Sequence, residues 1–253
     1  MAPVLEVSDL TVTFGGVKAC NAIDLTVDDG DFTAIVGPNG SGKTTLFRAI
    51  SGEQRLASGR VRWMGRDVAD QSQARLAKAG LVRTFQQSMA FAGLSVRDNL
   101  ELARACAGAV SVAAPEVASE AGRAWLDEDA VYDLTGLGQV RDQPAGGLTT
   151  GMLRMLGVAL ALQAHPRMLM LDEPAAGLNP EESGRLAEVL RLLRGQGVTL
   201  VVIEHDMSFL LPLASRLIVL ELGAKLIEGD PYEVVQDPRV IEVYLGTDFA
   251  AGK

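Results

Sequence analysis

Apolar and polar positions alternate from Val4 to Val27, in LEVSDLTVTF and again in AIDLTV, with FGG (14–16) between them. A period of two broken by glycines predicts antiparallel strands joined by a turn. FTAIVG (32–37) is a short apolar run, read as a buried strand, and GKTTLFRAIS behind it has helical spacing. GRVRWMGRD (59–67) predicts a strand and turn, residues 71–80 a short helix, and LVRTFQQ (81–87) a strand entering a loop. From about Val96 to Leu137 alanine and acidic residues take over with helical spacing, around a looser AGAVSVAAP (107–115). Then strands and helices alternate. MLMLDEP (168–174) reads as a strand, EESGRLAEVLRLLRG (181–195) as a helix, VTLVVIEH (198–205) as a strand and MSFLLPLA as a helix. RLIVLELG and AKLIEGD follow as a hairpin-like pair, and PYEVVQDPRVIEVYLG as an amphipathic tail. This order predicts an α/β fold with a mostly parallel sheet covered by helices, beside an antiparallel β region.

The totals narrow the class of function. A chain of 253 residues suits one large domain. A formal net charge of −9 argues against coating a nucleic-acid backbone. The two cysteines, Cys20 and Cys106, are too few for a disulfide framework and read as reduced, partly buried thiols. The start, MAPVLEVSDL, has acids where a secretory signal needs bases, and no stretch of 18 uninterrupted apolar residues occurs. The expectation is a cytoplasmic protein that meets a membrane only through a partner. Met152, Met155, Met168 and Met170 read as core filler.

The candidate chemistry starts at GPNGSGKTT (37–45), which fits G-x-x-x-x-G-K-[ST] and sits between a strand and a helix, as that phosphate-binding loop requires. The glycines let backbone N–H groups turn inward on phosphates, and Gly37, Pro38, Asn39, Gly40, Ser41, Gly42 and Thr45 are the candidate loop residues. Lys43 is placed to reach the β- and γ-phosphates and Thr44 to ligate Mg²⁺. LMLDEP (169–174) ends an apolar strand in two acids. Asp172 suits a Mg²⁺ shell and Glu173 suits polarising a water for in-line attack. His205 ends a second apolar strand and is a candidate γ-phosphate contact; His165, before Pro166, reads as surface or structural.

A second glycine-rich helix start, GGLTTGMLRMLG (146–157), has Thr149 as a plausible N-cap and could also hold an anion.

The ordered set GPNGSGKTT, Gln86, a helical insert, LTTGM, LMLDEP, AAGLN and His205 resembles the ATP-binding subunit of an ABC transporter over essentially the whole chain. RTFQ (83–86), DEPAAGLNP (172–180), IEHDM (203–207) and VIEVYLG (240–246) resemble the branched-chain amino acid importer type. The resemblance implies a single P-loop cassette: a core of 1–87 and 146–230 with an antiparallel β region, a helical subdomain at 88–145 and a tail at 231–253. It implies ATP and Mg²⁺ as ligands, Phe14 stacking on adenine, Gln86 sensing Mg²⁺ and the membrane partner, and Ala176–Asn179 in a loop between subunits. It makes GGLTTGM the signature stretch, usually LSGGQ, in which Thr149 and Gly151 cap the ATP of a second cassette. Here Met152 replaces the usual glutamine. The implied partners are a second ATP-binding subunit, identical or not, membrane permease subunits and, through them, a solute-binding protein, with no nucleic acid. Stretch 88–96, SMAFAGLSV, falls where a permease helix docks in the family, or else is core. Related subunits serve urea or short-amide import and lipopolysaccharide export. An ATP-gated clamp on nucleic acid or ribosomes, and a subunit that holds ATP without hydrolysing it, are the alternatives of other kinds.

Overall fold

The computed structural model describes residues 3–84, 90–108 and 128–245. Gln86 and most of the stretch 107–115 lie outside the described residues. The chain divides into two compact units, Met1–Gln73 with Thr199–Lys253, and Ala74–Val198.

The first unit begins with the alternating segments. Strands β1 (Leu5–Phe14) and β2 (Val17–Val27) pair antiparallel about Gly15–Gly16, both at positive φ as a two-residue turn demands. β4 (Ser58–Trp63) pairs antiparallel with the other edge of β1, and β5 (Arg66–Asp67) with β4. Alternate residues point inward on either side of an irregularity between Val7 and Leu10: Leu5 and Val7 before it, Leu10 and Val12 after it, are buried along β1.

The fully apolar runs behave differently. β3 (Phe32–Val36) and β8 (Thr199–Ile203) are buried at every position. They pair in parallel, Ile35 opposite Ile203, and β9 (Arg216–Glu221) runs parallel on the other side of β3. β10 (Ala224–Gly229) returns antiparallel to β9. A strand covered on both faces has no polar side, which is why these runs do not alternate. Helix α1 (Lys43–Ile50) follows β3 and buries Leu46, Phe47, Ala49 and Ile50. Short helices α7 (Met207–Leu210) and α8 (Pro231–Val234) are capped by Asp206 and Asp230, and α9 (Pro238–Leu245) ends the described chain.

The second unit carries α2 (Gln73–Lys78, its first residue in the first unit), then β6 (Leu81–Arg83) and β7 (Met168–Asp172), which pair in parallel. Helices α3 (Val96–Gly108), α4 (Glu128–Thr135) and α5 (Thr150–Leu162) lie between them in sequence, with α4 and α3 both packed on α5. α6 (Pro180–Gly195) starts with a full capping box. Asn179 Oδ1 accepts from the N–H groups of Glu181 and Glu182 at 3.0 Å each, and Glu182 Oε2 accepts from Asn179 N–H at 3.1 Å. Pro180 occupies the first helical position, where no N–H is missed.

Two sequence expectations change. Cys20 is buried but Cys106 is exposed, because α3 turns that position outward. Met155, Met168 and Met170 are core, whereas Met152, on the first turn of α5, is only half-buried. Among the described residues no helix is long and apolar enough to cross a membrane.

Candidate phosphate-binding and acidic sites

The loop after β3 is shaped by glycines that have no substitute. Gly37, Gly40 and Gly42 have φ of 148°, 80° and 100°. A Cβ on Gly37 would strike the backbone carbonyl of Leu220, and one on Gly42 that of Ala19. The tip of the β9–β10 hairpin locks the loop from outside: Gly223 N–H donates to Ser41 O at 3.1 Å, and Asn21 N–H to Gly223 O at 2.7 Å. Cys20 donates from Sγ to Gly42 O at 3.7 Å, and burial pushes its thiol up to about 12, so it stays protonated and packs as a small apolar group.

Three features of this loop suit a polyphosphate. Helix α1 has Gly42 as its N-cap and no side-chain cap, whereas α5, α6, α7 and α8 are capped by Thr149, Asn179, Asp206 and Asp230. Its first-turn N–H groups are therefore turned toward the loop without a resident side-chain acceptor. Among the described residues the buried Ser41 Oγ has no hydrogen-bond partner. Lys43 is buried, and its Nζ donates to the carbonyls of Gly37 at 2.7 Å and Pro38 at 2.9 Å, which aims the ammonium back into the loop.

Another first-unit candidate, His205, falls at the same end of the parallel strands as this loop. Because Ile35 pairs with Ile203, the chain leaves β3 toward Gly37 beside the point where it leaves β8 toward His205. His205 is exposed, and its N–H donates to Glu204 Oε2 at 3.1 Å. Phe14, at the end of β1, is 49% exposed, an aromatic face left uncovered by its own unit. Tyr244 in α9 is 37% exposed overall, and burial around its hydroxyl pushes the phenol up to about 12 against the opposing pull of the Gly37 N–H. Helix α9 thus brings Tyr244 to the first glycine of the loop, which no sequence pattern signalled.

In the second unit Asp172 closes β7 with its carboxylate 2% exposed. Arg83, at the end of β6, donates from Nη2 to Asp172 Oδ2 at 3.0 Å and is itself buried. Thr84 N–H donates to Met170 O at 2.9 Å, which fixes the register of the two strand ends. Glu173 follows at φ 49°, a left-handed conformation that costs a residue with a Cβ about 1–3 kcal/mol and breaks the strand's side-chain alternation.

The second glycine-rich stretch is a capped helix start. Thr149 and Thr150 are exposed, and Thr149 Oγ1 accepts from Met152 N–H at 3.2 Å. Gly151 has no positive φ, but a Cβ there would meet the carboxylate arm of Glu182. Arg154 Nη2 reaches Ala176 O at 3.5 Å.

The family model for ABC transporters matches residues 20–176. This chain belongs to the ABC transporter family. A second model, described as a branched-chain amino acid ATP-binding cassette transporter, matches residues 225–250 of the cassette. The cassette is 36% identical to the high-affinity branched-chain amino acid transport ATP-binding protein BraF of Pseudomonas aeruginosa, over 96% of this chain and 98% of that one. It is 35% identical to LivG of Salmonella typhimurium and 32% to LivG of Escherichia coli, with the same shares of each chain covered. Among solved structures, the ADP conformation of MJ1267, an ATP-binding cassette of an ABC transporter, superposes with a TM-score of 0.84 at 29% identity, over 97% of this chain and all of that one. The cassette therefore has the P-loop α/β fold of that family, as its sequence led us to expect.

Proposed function

We propose that this cassette binds and hydrolyses ATP to drive an importer for branched-chain or other hydrophobic amino acids. The observation that carries the ATP site is the uncapped start of α1 behind three positive-φ glycines, with the Ser41 hydroxyl and Lys43 ammonium turned into the same loop. The relatives named for branched-chain amino acid transport, and the match of the C-terminal segment 225–250 to that group, support the substrate class.

Each residue then has a task. Gly37–Gly42 and Thr45 hold the phosphates with backbone and hydroxyl donors, and Lys43 offsets charge on the β- and γ-oxygens. Phe14 offers a ring face to the adenine. Glu173 takes a proton from the attacking water, and His205 contacts the γ-phosphate. Thr44 and Asp172, with Gln86, are the hard oxygen donors that Mg²⁺ prefers. Among the described residues there is no group of three or more His, Cys, Asp or Glu that could hold a metal. Bound there, Mg²⁺ would neutralise phosphate charge.

Thr149 keeps a hydroxyl proton to donate, since its oxygen is the acceptor in the cap. That exposed helix start suits the ATP of a second cassette, identical or not. Phe91 is 60% exposed and Leu94 36%, whereas Val96 is buried. This half-open apolar stretch suits a helix of the permease, on the cytoplasmic side of the membrane.

Glu173→Gln tests the reading. Blocking hydrolysis should trap a closed pair, seen as an ATP-dependent dimer by size-exclusion chromatography with light scattering. A chain with verified ATP binding that stays monomeric would reject the self-paired form. No ATP binding at all would reject the function.

A further inference from the structure

Arg83 was part of a recognised motif, yet nothing in the functional reading uses it. It is a full positive charge on the last position of a three-residue strand whose positions are all buried. Its partner lies 89 residues away in sequence, at the end of the adjacent parallel strand. The register places Arg83 opposite Met170, so its side chain reaches forward by two residues along β7 to Asp172, on the same face. The two side chains are 4% and 2% exposed and meet at 3.0 Å.

Such a pair is costly to assemble, and its persistence asks for a reason. A carboxylate meant for a divalent cation must also exist without one, between rounds of nucleotide exchange. Buried and alone, it would be strongly unfavourable. We propose that Arg83 is a positioning residue for the metal site: a built-in counter-cation that holds Asp172 in place between nucleotides and opposes the entry of the divalent ion. This rests on the reading of Asp172 as a ligand of the nucleotide's metal.

A guanidinium on the carboxylate and a divalent cation sharing it repel each other, so each weakens the other's hold by the same factor. Removing the arginine charge must then tighten metal binding. A residue that merely shaped the strand end would, when lost, loosen it.

The test is Mn²⁺ binding followed by electron paramagnetic resonance, on the full chain with saturating ADP. Arg83→Gln should lower the half-saturating Mn²⁺ at least about fivefold, the lower end of ordinary site coupling. Arg83→Lys retains a cation and should stay near the native value. Thermal melts provide a second reading: Mn²⁺ with ADP should raise the melting temperature of Arg83→Gln more than that of the native chain. Should Arg83→Gln be unfolded alone, recovery of the fold on adding Mn²⁺ and ADP supports the proposal, and continued unfolding overturns it. Unchanged or weaker Mn²⁺ binding in a folded Arg83→Gln also overturns it, while leaving the metal role of Asp172 intact. That role is checked separately with Asp172→Asn, which should weaken Mn²⁺ binding; if it does not, the ligand assignment and the counter-cation fall together.

Discussion

Two helix starts in this chain are rich in glycine, and they use it differently. At Gly37–Thr45 the glycines are conformational: three have positive φ, and the helix they open has no side-chain cap. At Gly146–Met152 none has positive φ, and the helix is capped by Thr149. Gly151 is there for space, because the arm of Glu182, fixed by the capping box at Asn179, lies over it. The first loop presents backbone donors from a rigid turn. The second presents an ordinary capped helix end, kept close to the neighbouring helix start by a missing side chain. One glycine motif signals a backbone shape and the other a contact.

The largest effect should come from the first loop's charge. Lys43→Ala removes the ammonium held over the loop carbonyls, and ATP hydrolysis, followed by phosphate release, should fall by about 10²–10³-fold. Next comes backbone shape. Gly42→Ala adds both a disfavoured φ and a clash with the Ala19 carbonyl, and should cost about 2–4 kcal/mol in denaturant unfolding. Gly40→Ala, with a φ of 80° but open space around it, should cost only about 1 kcal/mol. Equal losses at Gly40 and Gly42 would break the distinction between strain and collision.

Gly151→Ala probes the contact glycine. It must push Glu182 out of the capping box and should destabilise by about 1 kcal/mol. In a Glu182→Ala background the same change should turn stabilising, by up to about 1 kcal/mol, because alanine is the better helix former. No change of sign would mean that Gly151 is conformational after all. The smallest effect is expected at Met152, whose backbone N–H already serves the cap. Met152→Gln, made in Glu173→Gln, should tighten ATP-dependent dimers by about fivefold per nucleotide site, one neutral hydrogen bond at each.

What the sequence made legible follows the range of the forces. Alternation placed β1 and β2, and unbroken apolar runs placed β3, β7 and β8, because strand faces record burial residue by residue. The phosphate loop was legible because its glycines, lysine and threonine act within nine residues. Thr149 as a cap was legible for the same reason.

Arg83 was not. A single arginine after LV reads as a strand leaving the core, and only the pairing of β6 with β7 turns it inward onto Asp172. The exposure of Cys106 hung on how α3 is rotated, which its composition leaves open. Nor could spacing show that Gly42 packs on Ala19, that Gly223 binds Ser41, or that Glu182 covers Gly151.

The sequence by itself determined the order of elements, the phosphate loop and the acidic strand end, since each is written in neighbouring residues. Only the tertiary structure decided which buried charge holds Asp172 and which carbonyls leave no room for a side chain at Gly37 and Gly42. Those depend on strands far apart in the chain meeting at about 5 Å, a distance set by sheet hydrogen bonding and by no local pattern.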